Sequence, residues 1–528
     1  TGNTAETPHA AYTHDLVAAK AEAYIASRAG QPDPFLMMVC FTTPHQRLDH
    51  ISRSPNGLGQ YANHPTMSQR EKEHAAMVTR MDASIGALIA RLADPNADGD
   101  SADSLLANTL ILFSSDNGPT PETGLDKSGL INLDLTGGLR GGKRDLYEGG
   151  IRTPLLVRWD AAITAERRGT KISRPTELTD FISTAADLAG AQAPLGIDGV
   201  SLAPTITSRG MQRQRLPLVS ENFEISQTAN PNSDWSIVDG DDKLIKFRSG
   251  KFELYDLVTD PAEKAPLDLT LEANRSRQQR LKAIALAEGV GQPDSYCVEY
   301  AQWIGAEGGE LIDAANWSLN AYPQPTWITV ISNSATTPST VHTNGQISTL
   351  ALEVRGEHGL QSLLVEGRGE VSGRNEVRVN RGGRIMLAGG RVGSSRWIDV
   401  LPGGELLGSG ELRGDVFCAG LLSPGDKSLG GISFRDDVHL LPESIVQIHL
   451  DDEDSDRLTA TGDLKLDGEL KIALIENTRI QAGRTFDVLV AGSVTGKFRK
   501  VELPPLADNL TLRLRYLPDR VQLLVETR

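Results

Sequence analysis

The sequence predicts three architectures in succession: an α/β unit on a mostly parallel sheet (1–215), a small antiparallel α+β subdomain (216–290) and an all-β region, read as a β-solenoid with a cap (291–528). Three observations carry this. Helical and apolar-strand patterns alternate through the first 215 residues. Short strands joined by turn signals follow. Then Val377-Arg-Val379-Asn-Arg-Gly382-Gly383-Arg-Ile385 recurs as Ile398-Asp-Val400-Leu-Pro-Gly403-Gly404-Glu-Leu406.

Taken in order, Leu16, Ala19, Ala23 and Ala26 recur at helical spacing between Tyr12 and Arg28. Phe35-Leu36-Met37-Met38-Val39-Cys40-Phe41 is an unbroken apolar run, the pattern of a strand buried on both faces of a parallel sheet. Ser68 with Glu71 three residues on forms a capping box. It opens a long helix with an apolar stripe of Met77, Met81, Ile85, Leu88 and Leu92. Thr109 to Phe113 and Pro154 to Val157 read as further buried strands, and a helix from Thr179 stops at Gly190. In the subdomain, Trp235 to Val238, Lys243 to Phe247 and Phe252 to Tyr255 are strands joined by Asp239-Gly240-Asp241 and Ser249-Gly250, and Leu271 to Glu288 is a helix. Beyond it, β-branched alternation with Gly-Gly corners suggests one solenoid rung per repeat, since each rung buries its inward side chains only by stacking on neighbours. Leu352-Glu-Val354 fits with looser spacing, although two repeats also suit a β-sandwich. From Ser444 to Arg528 the strands look longer and less regular, as in a cap or sandwich end.

Composition narrows the function. Lys and Arg number 53 against 69 Asp and Glu, a formal charge of −16, with 39% hydrophobic and 23% charged residues. That is globular chemistry, and it excludes a strongly basic nucleic-acid binder while leaving room for a local basic pocket. No stretch approaches about 18 uninterrupted apolar residues, so no transmembrane segment is expected. Cys40, Cys297 and Cys418 are too few and too scattered for a disulfide framework or a zinc cluster. Thr1 is not a natural start, so the lack of a visible leader says nothing about targeting.

In an open α/β sheet, ligands bind beyond the carboxyl ends of strands. Two such ends carry suggestive residues, Thr42-Thr43-Pro44-His45 and Ser114-Ser115-Asp116-Asn117-Gly118-Pro119. Each alone reads equally well as a plain loop or turn. Functionally, Asp116 and Asn117 offer two hard oxygen ligands suited to Ca²⁺ or Mg²⁺, and His45 can bond an anionic substrate or protonate a leaving group. Residues 139–152 place Arg140, Lys143, Arg144 and Arg152 among Gly141, Gly142, Gly149 and Gly150. Glycines let backbone approach a ligand closely, and Lys143 puts a point charge on an oxyanion. The spacing is not that of a P-loop, and alone it also suits a solvated surface loop.

Together and in this order, these features resemble the type I sulfatase family of the alkaline phosphatase superfamily. The matching blocks are Pro34-Phe35 through Pro44-His45, Ser115-Asp116-Asn117-Gly118, Leu139-Arg140-Gly141-Gly142-Lys143 and Tyr147-Glu148-Gly149-Gly150-Ile151-Arg152-Thr153-Pro154. Asp180-Phe181 to Ala189-Gly190 and Ile197-Asp198-Gly199-Val200-Ser201-Leu202 continue the match. Asp242-Lys243-Leu244-Ile245, Glu253-Leu254-Tyr255-Asp256-Leu257 and Asp260-Pro261 resemble the family's C-terminal subdomain, so the likeness spans about residues 10–285. It implies that Asp116 and Asn117 are Ca²⁺ ligands (Mg²⁺ less readily), that Lys143 binds a sulfate oxygen and helps stabilise the leaving group, and that His45 contacts the ester or its leaving oxygen. Arg140, Tyr147 and Glu148 then support the loop. The family's nucleophile is a formylglycine hydrate made from a C/S-x-P-x-R motif, which this chain lacks. Cys40 is followed by Phe41-Thr42, and Ser173-Arg174-Pro175-Thr176 ends on Glu177.

The expectation is therefore the latter part of a longer sulfatase, N-terminally incomplete, with roughly half an active site and no turnover of its own. Its sheet, short of strands, should leave apolar faces exposed and pack loosely. The expected substrate is a sulfated carbohydrate or aryl sulfate. A phosphodiesterase or phosphonate monoester hydrolase of the same superfamily, or a non-catalytic surface-binding protein with a degenerate sulfatase domain, are the alternatives. The resemblance implies a secreted, periplasmic or cell-surface location. Ala314-Ala315-Asn316-Trp317 and Leu421-Leu422-Ser423-Pro424-Gly425 resemble repeats of bacterial autotransporter passengers, suggesting a structural appendage or attachment to a polysaccharide or cell surface through 291–528. The acidic run Asp451, Asp452, Glu453, Asp454 and Asp456 reads as a solvated loop more readily than a Ca²⁺ site.

Overall fold

The computed structural model describes residues 12–45, 57–119, 134–222, 233–290, 298–333, 336–425, 428–506 and 509–527. The chain divides into two compact units, Thr1–Gln192 with Gly199–Gly291, and Ala193–Asp198 with Gln292–Arg528.

The first unit opens with two packed helices, α1 (Thr13–Ala26) and α2 (Gln69–Ala93). The capping box forms as the sequence predicts: Glu71 N–H donates to Ser68 Oγ at 3.3 Å, and Ser68 N–H to Glu71 Oε2 at 2.7 Å. Met77 and Leu92 of the α2 stripe are buried, and Met81, Ile85 and Leu88 half-buried. Arg80 of α2 chelates Asp15 of α1, with Nε 2.7 Å from Oδ1. His14 is fully buried, its ring nitrogens 2.9 Å from Thr43 Oγ1 and 2.9 Å from Ser84 Oγ.

The structure corrects the reading of residues 35–41 as a strand buried on both faces. The segment pairs with no strand among the described residues, and Leu36 and Met38 are 74% and 86% exposed. Without a ladder partner an apolar run has nothing to bury its second face against. Strands β1 (Ile111–Ser114) and β2 (Leu155–Arg158) form where predicted and pair antiparallel, in a unit expected to rest on a mostly parallel sheet, with Ser114 opposite Leu155. That pairing sets the loop after β1 beside the loop before β2. Helices α3 (Glu148–Ile151), α4 (Asp180–Leu188) and α5 (Ala203–Thr207) follow. The rest of the unit is an antiparallel meander of β3 (Leu218–Glu221), β4 (Ser233–Asp239), β5 (Asp242–Phe247) and β6 (Phe252–Asp256), with α6 (Glu272–Ala287). Trp235, Ile237, Leu244, Leu254, Leu281 and Ala285 form its core.

The second unit is a parallel β-solenoid. The repeat read from the sequence is real: Val377 stacks on Ile398, and Ile385 on Leu406. Val341, Leu363, Ile385, Leu406, Leu422, Val446 and Leu470 lie one above another in register, every one fully buried. A second ladder runs Val354, Val379, Val400, Cys418 and Leu440. The parallel ladders rule out a sandwich, and they correct the reading of 444–528. Strands Ile445–Leu450, Glu469–Leu474 and Lys500–Glu502 still stack in parallel. Only the antiparallel hairpin of Leu510–Leu517 and Arg520–Thr527, paired to Thr485–Val490, closes the end. The later rungs carry longer corners, which blurs their period in the sequence. The acidic run is one such corner: Asp451 Oδ1 accepts from Glu453 N and Asp454 N (2.9 and 2.7 Å), while buried Asp456 accepts from His449 Nδ1 (2.8 Å) and Gly430 N (2.7 Å).

Three outcomes follow from this packing. Ile385→Ala should cost the solenoid about 2–5 kcal/mol in its denaturant transition, the usual range for emptying a closed core site. In a Cys297→Ser background, a thiol reagent should label exposed Cys40 and leave Cys418 untouched until unfolding, because burial pushes the Cys418 thiol up to about 12. Burial also lowers the pKa of His14. Its contribution is then complete above the ordinary imidazole value and is lost as pH falls below it, so amide exchange in α1 should speed up below about pH 6.5. His14→Asn should flatten that profile.

Candidate functional site

Antiparallel pairing of β1 with β2 brings residues 115–119 and 140–152 to one edge of the sheet. The two loops then lock backbone to backbone. Gly118 N–H donates to Gly150 O at 2.8 Å and Lys143 N–H to Pro119 O at 2.7 Å, while within the second loop Gly149 N–H donates to Arg140 O at 2.7 Å. No side chain fits between the loops at Gly118, where a Cβ would lie 1.9 Å from Gly149 O. Within the second loop, a Cβ on Gly149 would lie 2.5 Å from both Arg140 O and Gly141 O, and one on Gly150 2.2 Å from Asp145 O. Gly141 turns the chain at φ +79°. Asp145 accepts from Gly142 N–H at 3.0 Å, and burial raises its carboxyl pKa.

This lock fixes Lys143. Its Nζ lies 3.0 Å from Nε2 of His45, which sits just past the cis Thr43–Pro44 bond. Two residues 98 apart in sequence thus meet at the surface. Among the described residues no carboxylate pairs with Lys143.

Asp116 is exposed and Asn117 half-buried on the adjoining loop. Asp116 Oδ1 accepts from Asn117 N–H at 3.0 Å, and Ser115 Oγ donates to Asn117 O at 2.9 Å. Their side chains present two hard oxygens, whereas Ca²⁺ takes six to eight. Among the described residues no group of three or more His, Cys, Asp or Glu stands ready for a metal. These residues alone therefore do not fit a divalent cation.

Arg140, Tyr147 and Glu148 face the meander. The Arg140 guanidinium lies 3.9 Å from the Tyr147 ring centre, and its Nη1 donates to Tyr255 OH and Glu263 O, each at 3.0 Å. Tyr147 and Tyr255 both donate to Glu253 Oε2, at 2.8 and 2.7 Å. Burial and that carboxylate raise both phenol pKa values. Burial acts to raise the Glu253 pKa, but donors from Lys251, Tyr255 and Tyr147 bring it below the usual range. Glu148, 6% exposed, receives Lys243 Nζ at 2.8 Å, and the same ammonium lies 2.9 Å from Glu263 Oε1. Lys243 and Glu263 are fully buried, and burial raises the Glu263 pKa. Sequence reasoning assigned Lys243, Glu253, Tyr255 and Glu263 no part here. Lys243, Glu253 and Tyr255 stood in the blocks that carry the family resemblance, whereas Glu263 gave no signal at all.

With this geometry in view, comparison with known proteins is direct. Residues 2–191 match the sulfatase family model, and residues 141–283 match that of the C-terminal region of N-sulphoglucosamine sulphohydrolase. A sulfatase of Formosa agariphila is 28% identical over 266 residues, 48% of this chain and 45% of that protein. Human steryl-sulfatase is 31% identical over 185 residues, 34% of this chain and 27% of its own. Human N-acetylgalactosamine-6-sulfatase is 31% identical over 153 residues, 28% and 26% of the two chains. Residues 2–191 and 141–283 are thus similar to sulfatase sequence, and the chain spans less than half the length of each of these relatives.

A methyl group tests the lock. Gly118→Ala, whose Cβ would meet Gly149 O at 1.9 Å, should separate the two loops, so that amide exchange at position 118 and at Lys143 accelerates at least tenfold while the solenoid transition stays where it was.

Proposed function

We propose that the protein to which these residues belong hydrolyses sulfate esters on a sulfated carbohydrate, and that Lys143 and His45 are the groups of this chain that meet the sulfate. The observation that carries the reading is the 3.0 Å approach of Lys143 Nζ to His45 Nε2, within residues that match the sulfatase family model. An ammonium with no carboxylate partner among the described residues is available to an anion. As an S–O bond breaks, charge gathers on the sulfate and leaving oxygens, and a fixed cation lowers the energy of that state more than it lowers the ground state. The imidazole beside it accepts from the ammonium through Nε2 in this geometry, and once it takes up a proton there it can hand that proton to the departing alkoxide.

The carbohydrate assignment rests on names: the matched C-terminal model is that of a sulphoglucosamine hydrolase, and one relative is an N-acetylgalactosamine-6-sulfatase. Asp116 and Asn117 are offered as two ligands of a Ca²⁺ whose remaining ligands lie outside the described residues. The chain holds no C/S-x-P-x-R, so a formylglycine nucleophile is not encoded within these 528 residues. We further propose that the reaction runs outside the cytoplasm, a reading the family resemblance supports, and that the solenoid anchors the protein to polysaccharide or cell surface.

The test is a titration of the chain with inorganic sulfate, read by NMR at the His45 imidazole. The wild type should saturate, and Lys143→Ala should weaken binding at least tenfold with the fold unchanged. An aryl sulfate should not turn over. Unaltered binding by Lys143→Ala contradicts the reading, whereas Lys143-dependent turnover by this chain alone would overturn the expectation that it is a fragment lacking its nucleophile.

A further inference from the structure

Lys243 is a fully buried lysine, on β5 of the meander, far in sequence from the loop it touches. Its ammonium sits between Glu148 Oε1 (2.8 Å) and Glu263 Oε1 (2.9 Å). Replacing a buried ion group by well-packed apolar side chains is often neutral or stabilising, so such a group is weak evidence for stability. What it does supply is direction, because each charge admits few arrangements of its partners. We infer that Lys243 and Glu263 are positioning residues that set Lys143 for the sulfate, an assignment that rests on the proposed function above.

The path from one lysine to the other is continuous. Lys243 orients both carboxylates, and Glu263 Oε2 receives the N–H of Glu148 at 2.5 Å. That bond fixes the first residue of α3. Gly149 N–H then holds Arg140 O, and Gly150 O takes Gly118 N–H. Pro119 O, one residue on, receives Lys143 N–H. A second arm begins at the same glutamate, whose carbonyl oxygen takes Arg140 Nη1. Arg140 stacks on Tyr147, so both ends of the 140–147 loop are tied to Glu263. Glu263 itself adopts a left-handed backbone, φ +52°, unusual for a residue with a side chain, while fully buried. Lys243 and Glu263 touch neither His45 nor the ammonium of Lys143, so their effect on an anion must pass through the loop.

The experiment compares the full chain with Lys243→Met, Glu263→Gln and Leu281→Ala, the last a cavity in the apolar core of the meander. Each is measured by sulfate titration at His45, by amide exchange at Gly118 and Lys143, and by thermal unfolding. Lys243→Met should weaken sulfate binding at least tenfold and strip protection from both amides. Glu263→Gln, which keeps an acceptor for Glu148 N–H, should do so about threefold. Leu281→Ala should lower the melting temperature and leave both readouts alone. If Lys243→Met lowers only the melting temperature, as Leu281→Ala does, the positioning role is overturned. If the wild type binds no sulfate but Lys243→Met still frees the two amides, the clamp stands and the sulfate reading fails. Should Lys243→Met not fold, Glu263→Gln decides alone, and wild-type binding and protection in it would sink the inference.

Discussion

Everything in the candidate site depends on a contact between two stretches of main chain with nothing between them. Gly118 meets Gly149 and Gly150 so closely that one added carbon would overlap a carbonyl oxygen. Such an approach lets amides and carbonyls satisfy one another directly, and an unmet buried amide would be costly. It also converts the loops into a rigid mount. An ammonium on a flexible four-carbon stem is a poor instrument unless its backbone is held, and here the backbone of Lys143 is held by Pro119.

The electrostatics divide into two layers. At the surface, the Lys143 ammonium donates to His45 Nε2, and no carboxylate pairs with the lysine among the described residues. Beneath, charges are densely paired: Lys243 with Glu148 and Glu263, and Glu253 with two phenols and Lys251. The paired layer spends its charge on geometry, while the surface layer keeps its charge for a ligand. The solenoid uses a different economy, stacking aliphatic side chains so that each rung completes the burial of the one before.

Much of this was legible in the residues. The capping box at Ser68, the meander and the twenty-one-residue repeat each rest on local chemistry that the chain cannot satisfy another way. The loop carrying Lys143 was legible because glycine and cation together have few structural uses. Residues 35–41 misled because hydrophobicity reports what a segment prefers to bury, not whether a partner strand is present to bury it. The mostly parallel sheet was inferred from apolar runs, which do not encode strand direction, and β1 and β2 pair antiparallel. Glu263 stayed hidden because a lone glutamate in a polar turn gives no hint that the fold will enclose it opposite a lysine. The later rungs were obscured by corners of unequal length.

The most direct measurement is anomalous diffraction from crystals of the chain soaked in selenate, a heavier mimic of sulfate. The account predicts a selenium peak within hydrogen-bonding distance of both Lys143 Nζ and His45 Nε2. Selenium found only elsewhere on the surface, or a density map in which these two side chains lie apart on separate loops, would contradict it.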